Sequence, residues 1–345
     1  MVSTYCRLTS TCTKLYEDIS FVVKTIGGYM YDKVSSIDLA YIAGMFDGDG
    51  SFSLIKKKPE AEGRSPLYYP HIQFCNISKN IMEYLNKNLS GNFYTRKAHL
   101  RKDGFFRKDV HTWNVQKSTP CKKVLDKIIP FLVIKKERAQ FLLQYIIDNP
   151  FKRGSVKLSE EALFKREQAY VKMKYMNEDR IVHENLTRKQ ASSLSDCPEI
   201  LSYMAGLFDT DGSFSIKKEK QRQNKKSPTY SPVILLSMTD IRGINFIRDN
   251  CPYGKTFLVK AKSCKKGIAY RWYVGSKSDC IPFLKAILPY LKLKKDKAEV
   301  LLQFCENYSN TSYCRAGITE EELSFRESCY QRLISCNNMG SINLL

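Results

Sequence analysis

The chain repeats itself once, and that repeat constrains its fold more than any other feature. "YIAGMFDGDGSFSL" at residues 41–54 returns as "YMAGLFDTDGSFSI" at 203–216, so Asp49 falls on Asp211 162 positions later. The same shift carries "NIMEYLNKNL" (80–89) onto "RGINFIRDNC" (242–251). "IIPFLVIKKERAQFLLQ" (128–144) matches "ILPYLKLKKDKAEVLLQ" (287–303) at 159 positions, and "LSEEALFKRE" (158–167) matches "ITEEELSFRE" (318–327) at 160. Two units of about 140 residues are too few and too long for a solenoid. They predict two similar domains related by a pseudo-twofold axis.

Within each copy the pattern reads helix, two strands, helix, two strands, then two or three helices. Aromatic and β-branched runs mark the strands: "LYYPHIQFC", "NFYTRK" and "VHTWNV" in the first copy, "PVILLSM", "TFLVKA" and "AYRWYVG" in the second. Thr319 with Glu322 forms a capping box, and Ser159 followed by two glutamates supplies an N-cap with an acidic first turn. The polar stretch 176–196, poor in apolar periodicity, is the linker. The expected organisation is an extension of no assigned role (1–36), a first domain (37–175), the linker (176–196), a second domain (197–335) and a tail (336–345).

Each repeat has an apolar helical run ending in Asp-x-Asp-Gly and passing directly into a strand. Ala40, Gly44 and Gly48 follow one another at i, i+4, as do Ser202, Gly206 and Thr210. Small residues at that spacing let two helix backbones approach closely. If the two stripes face each other, both helices end at one level and their terminal aspartates meet. Adjacent carboxylates repel unless cations join them, and their oxygens are hard ligands suited to Mg²⁺. A helix-ending turn is the simpler reading of one such motif; two copies need a shared cause. A calcium loop fails on spacing: counted from Asp47 its sixth and twelfth positions are Phe52 and Lys58, and from Asp209 they are Phe214 and Lys220.

The partner follows from charge. Fifty-six Lys and Arg against 35 Asp and Glu leave a formal +21 spread along the chain, which points to a polyanion. Twelve cysteines include no C-x-x-C pair, which argues against zinc, and several sit in apolar runs as free thiols would, fitting a reducing compartment. No apolar run is long enough to span a bilayer, so no membrane partner is expected.

"IAGMFDGDG" (42–50) and "MAGLFDTDG" (204–212) resemble the paired motifs of the LAGLIDADG homing endonucleases, in the monomeric form with both motifs on one chain. The resemblance covers roughly residues 36–335, because "IIPFLVIKK" and "ILPYLKLKK" are also similar to the helices that follow the family's sheets. It implies an α+β fold of two αββαββα domains, with motif helices packed at the interface and a saddle of two four-stranded sheets over double-stranded DNA. The implied activity is metal-dependent, site-specific cleavage of both DNA strands across the minor groove at a long asymmetric target. The alternative on the same scaffold is an intron RNA maturase, with or without cleavage. A transcription regulator on a degenerate scaffold is disfavoured because both Asp49 and Asp211 are present. Lys-, Ile-, Asn- and Tyr-rich usage suits an organelle, chloroplast or mitochondrion.

Carried over residue by residue, the resemblance makes Asp49 and Asp211 the metal ligands, aided by the carbonyls of Gly48 and Thr210, with two or three divalent ions at the domain interface. Asp47 and Asp209 take local structural roles. Lys117 in "NVQKST" and Lys277 in "VGSKSD" match a lysine near the end of the fourth strand, and Asn76 matches a water-organising position where the second copy has Met238. Strand alternation puts Ser51, Ser53, Ile55 and Lys57 on the DNA face of the first sheet, and Ser213, Ser215, Lys217 and Glu219 on that of the second. Phe52, Leu54, Phe214 and Ile216 then point inward. Arg96, Lys97, Arg101, Lys102, Arg107, Lys108, Lys260, Lys262, Lys265 and Lys266 are expected phosphate contacts.

Overall fold

The computed structural model describes residues 34–59, 64–100, 106–150, 158–176, 190–219, 227–260, 267–308 and 318–338. Most of the 176–196 linker, nearly all of the 1–36 extension and most of the 336–345 tail lie outside them.

The first half runs α1 (Ser36–Asp49), β1 (Gly50–Lys57), β2 (Leu67–Asn76), α2 (Lys79–Leu89), β3 (Asn92–Arg96), a short ribbon of β4 (His99–Leu100) and β5 (Phe106–Arg107), β6 (Val110–Gln116), α3 (Ser118–Ile128), α4 (Lys136–Asp148) and α5 (Glu160–Tyr175). The second runs α6 (Pro198–Asp211), β7 (Gly212–Glu219), β8 (Thr229–Met238), α7 (Ile241–Asn250), β9 (Lys255–Lys260), β10 (Ile268–Val274), α8 (Lys277–Ile287), α9 (Lys295–Asn307) and α10 (Glu320–Asn338). Each half forms a four-stranded antiparallel sheet of the same order, β1-β2-β6-β3 and β7-β8-β10-β9. The fold is α+β, with three helices after each sheet.

Local chemistry sets the helix starts. Ser35 Oγ accepts from Asp38 N at 3.0 Å, Ser159 Oγ from Ala162 N at 3.2 Å, and Thr319 Oγ1 from Glu322 N at 3.2 Å. Pro198 occupies the first turn of α6, where its missing N–H costs nothing. The Glu322 carboxylate accepts from Arg326 Nε at 2.7 Å within α10.

The residue immediately before the two aspartates of each motif anchors the motif helix to its sheet. Phe46 lies 5.6 Å from Phe52, 5.7 Å from Phe74 and 5.9 Å from Trp113. Phe208 repeats this with Phe214 at 5.8 Å, Trp272 at 5.7 Å and Phe283 at 5.3 Å. Such ring clusters add to plain area burial. They hold each acidic helix end at the mouth of a strand, as the abrupt helix-to-strand transition in the sequence requires. Phe52, Leu54, Phe214 and Ile216 are all buried, and Ser51, Ser53, Ile55 and Lys57 alternate outward as their pleat predicts.

All eight cysteines among the described residues are free thiols, and none of the described helices is long and apolar enough to cross a membrane.

Candidate functional site

Helices α1 and α6 meet backbone to backbone. A Cβ on Gly44 would overlap the Tyr203 carbonyl oxygen, and one on Gly206 would overlap that of Tyr41, so glycine is required at both by the approach itself. A Cβ on Gly48 would overlap the Thr210 side chain and come within 3.2 Å of the Asp211 carboxylate. At the other end of the pair Ser36 Oγ donates to Glu199 Oε1 at 2.6 Å and Ser202 Oγ to the Ile37 carbonyl at 2.8 Å. The small-residue stripe thus brings the two acidic helix ends together.

The first aspartate of each motif is structural, but its role is not local. Asp47 is 2% exposed and accepts from the backbone N–H groups of Val133 (2.8 Å), Ile134 (3.0 Å) and Lys135 (2.7 Å), and from the hydroxyl of Tyr203 in the other half (2.7 Å). Asp209 repeats the pattern with Lys292 (2.7 Å), Leu293 (3.0 Å), Lys294 (2.8 Å) and Tyr41 (2.7 Å). Burial pushes the Asp47 carboxyl up, and its four donors pull it back. Burial and then the facing aspartate raise both tyrosines well above their usual range, so each stays a hydroxyl donor. Each tyrosine ties one half to the other. Tyr203→Phe and Tyr41→Phe are each expected to cost about 1.5–3 kcal/mol of stability, the range for a bond to a charged acceptor. Denaturant unfolding of the single variants measures it.

The second aspartates, Asp49 and Asp211, reach solvent at the helix ends. Surrounding protein pushes Asp211 up to about 6, with the Asp49 charge the next contributor, and pushes Asp49 up as well. Two lysines oppose this. Lys135 and Lys294 lower both carboxyls, so each acid senses a lysine from each half.

These lysines are held by the motif helices themselves. Lys135 Nζ donates to the carbonyls of Phe46 (2.8 Å), Gly48 (2.7 Å) and Gly50 (2.8 Å). Lys294 Nζ donates to those of Phe208 (3.0 Å), Thr210 (2.9 Å) and Gly212 (2.7 Å). Each ammonium satisfies orphan carbonyls at a helix C-terminus and complements the helix dipole there. Burial pulls Lys294 down to about 8.

Lys135 and Lys294 escaped the sequence reading, which chose Lys117 and Lys277. The structure places Lys117 just after β6, exposed, with φ 73° at the N-cap of α3. It places Lys277 at the start of α8, where its Nζ donates to the Tyr308 carbonyl at 2.7 Å and lies 5.0 Å from the Tyr308 ring centroid. Neither is among the charges that act on Asp49 or Asp211. The signal that could have found Lys135 and Lys294 is present: a Lys-Lys step after an apolar run, at the same repeat position in "VIKKER" and "KLKKDK". Asn76 turns to its own chain and accepts from Ser78 N at 3.0 Å, while Met238 opposite it in the repeat is buried.

The donor set fits a divalent cation. Two carboxylates and the carbonyls of Gly48 and Thr210 are all hard oxygens, and Asp211 is raised first by burial and then by the facing Asp49 charge, so two acids share one partly desolvated place. Among the described residues no group of three or more His, Cys, Asp or Glu forms a metal cluster by side chains alone. A crevice of about 280 Å³ opens beside the site, lined by Asp47, Gly48, Lys135, Asp211, Asp240 and Arg242 among others. Of the expected phosphate contacts, Arg96, Lys97 and Lys260 are exposed and Lys108 is half-buried. Arg101, Lys102, Lys262, Lys265, Lys266 and the Arg107 side chain lie outside the described residues.

No protein-family model and no curated protein matches this sequence. Solved structures do. The I-LtrWI LAGLIDADG homing endonuclease bound to target DNA is similar with a TM-score of 0.59 at 17% identity, over 90% of this chain and 99% of that one. Meganuclease I-SmaMI bound to uncleavable DNA gives 0.57 at 15% identity, over 86% and 98%. I-SmaMI on an uncleaved target in the presence of calcium ions gives 0.53 at 15% identity, over 87% and 98%.

Proposed function

We propose that this chain, which has the fold of the LAGLIDADG homing endonucleases, is a site-specific double-stranded DNA endonuclease dependent on Mg²⁺ and active as a monomer. One observation carries the reading: the close approach of two helices delivers Asp49 and Asp211 to one centre, each helix end capped by a half-buried lysine. Bound divalent cations would supply an acidified water and brace the charge that develops on the phosphate. Asp49, Asp211 and the Gly48 and Thr210 carbonyls would hold them. The chain's own part is positional and electrostatic. Lys135 and Lys294 keep positive charge beside the scissile phosphates, and the carbonyl bonds fix their Nζ atoms before substrate arrives. The surface sheets carry the duplex, and each half addresses one strand.

Sequencing the cleavage products of a randomised DNA library, incubated with purified protein and Mg²⁺, tests this. Defined double-strand breaks within one long non-palindromic site are expected; absence of cutting, or cutting by a dimer at an inverted repeat, overturns it. The maturase alternative predicts intron RNA binding without such breaks. Residue usage alone supports an organellar location.

Lys135→Met and Lys294→Met are each expected to slow cutting by about 100- to 1,000-fold, the size of losing one preorganised stabiliser. Lys117→Met and Lys277→Met are expected to retain wild-type single-turnover rates. Affinity for DNA is also expected to fall steeply with salt, because backbone-bound Lys and Arg displace counterions. A logarithmic plot of binding constant against salt measures the slope, and a flat line removes the polyanion reading.

A further inference from the structure

Strand register sets one row of side chains across the solvent face of each sheet, and the two rows differ in kind. In the first half Ser51 is opposite Gln73, Gln73 opposite Asn114, and Asn114 opposite Asn92. In the second, Ser213 is opposite Leu235, Leu235 opposite Tyr273, and Tyr273 opposite Lys255. Ser51 and Ser213 are the first outward residues after the helix ends, so these are equivalent rows beside the two acids. None of these eight side chains is buried. The next row outward repeats the contrast: Ser53 faces His71 and His71 faces Gln116, whereas Ser215 faces Val233. Amides and an imidazole line one sheet; at the places equivalent to Gln73 and His71 the other carries the aliphatic Leu235 and Val233, with Tyr273 and Lys255 completing its first row.

Amides and aliphatic groups read different features of a base pair. Gln or Asn presents a paired donor and acceptor that match N7 and N6 of adenine, and a wrong base leaves both unmatched. An aliphatic side chain makes only apolar contact, for which the thymine methyl is the available partner. The first mode discriminates by about 10- to 100-fold per base pair, the second by only about fourfold for one buried methyl.

Resting on the DNA-binding role proposed above, we infer that the two half-sites are read by unlike chemistry: Gln73 and Asn114 select adenines in the first, while Val233 and Leu235 contact thymine methyls in the second. Stringency is therefore concentrated in the half-site under the first sheet. That half-site tolerates few changes near the cut, and the other tolerates many.

The test uses the full chain with Ca²⁺ and duplex libraries randomised in one half-site at a time, with bound DNA sequenced. Strong adenine selection next to the cut is expected in one half-site and weak selection in the other. Gln73→Glu is expected to move one position of the strict half-site from adenine to cytosine, and Leu235→Gln to introduce an adenine preference in the permissive one. Deoxyuridine in place of thymidine is expected to weaken binding several-fold in the permissive half-site only. Equal stringency in both halves, or a Gln73→Glu variant that binds with the wild-type preference, overturns the inference. Binding with this asymmetry but no cutting under Mg²⁺ keeps the inference and removes the nuclease reading. Cutting with equal stringency does the reverse, and no DNA binding removes both.

Discussion

Asparagine at position 49 or at position 211 is expected to abolish double-strand cutting, by about 1,000-fold or more, while DNA affinity stays within a few-fold of wild type. The substitution keeps the side chain's size and removes its charge. On the proposed function a ligand for the cation is lost, but no phosphate contact is. Binding has no reason to weaken, since a carboxylate facing the phosphates repels them. The two acids are also coupled: the Asp49 charge helps hold Asp211 up at about 6, so Asp49→Asn is expected to shift the Asp211 titration downward. Cleavage kinetics, filter binding and carboxyl NMR titration of the same variants measure all three effects. Wild-type cutting in either variant would falsify the catalytic assignment.

Valine at Gly44 or Gly206 is expected to destabilise the protein by about 3 kcal/mol or more, beyond the usual cost of overpacking. The reason lies in what the added carbon meets. On Gly44 it overlaps the Tyr203 carbonyl oxygen with the Leu207 amide nitrogen 3.0 Å away; on Gly206 it overlaps the Tyr41 carbonyl oxygen with the Met45 nitrogen at 3.0 Å. Backbone atoms cannot rotate aside, so the helices must separate. Separation also stretches the Tyr203–Asp47 and Tyr41–Asp209 bonds and draws Asp49 from Asp211. Stability and cutting should therefore fall together, read by urea unfolding and single-turnover cleavage. Gly48→Ala provides a contrast, because its Cβ meets the Thr210 side chain. Thr210→Gly should restore much of what Gly48→Ala loses, whereas no side-chain change opposite Gly44 should rescue Gly44→Val.

Asp47 and Asp209 show where local reading stops. An aspartate two residues before a helix end reads naturally as a turn former, because Asp-x-Asp-Gly favours such turns. Its actual partners are three amides 86 to 88 positions away and a tyrosine of the other half. Buried carboxylates must find donors wherever the fold supplies them. The lysines show the same limit from the other side. Lys117 and Lys277 are singled out by proximity to a strand end, but the lysines whose charges act on Asp49 and Asp211 are Lys135 and Lys294, placed by the helix termini they cap. Lys135 and Lys294 reach the acids because the segment before α4 and α9 folds back under the motif helices.

Repetition, alternation and small-residue spacing were all readable in one dimension, because each depends on residues a few positions apart or on a constant shift. They specify two like halves, an inward Phe52 and Phe214, a slim helix pair and acids at its end. Which charges share the centre, which hydroxyl satisfies which carboxylate, and which side chains stand abreast across four strands depend on contacts between distant segments. Those were settled only when the two halves packed, since a carbonyl, an ammonium or an amide row has no partner until another part of the chain arrives beside it.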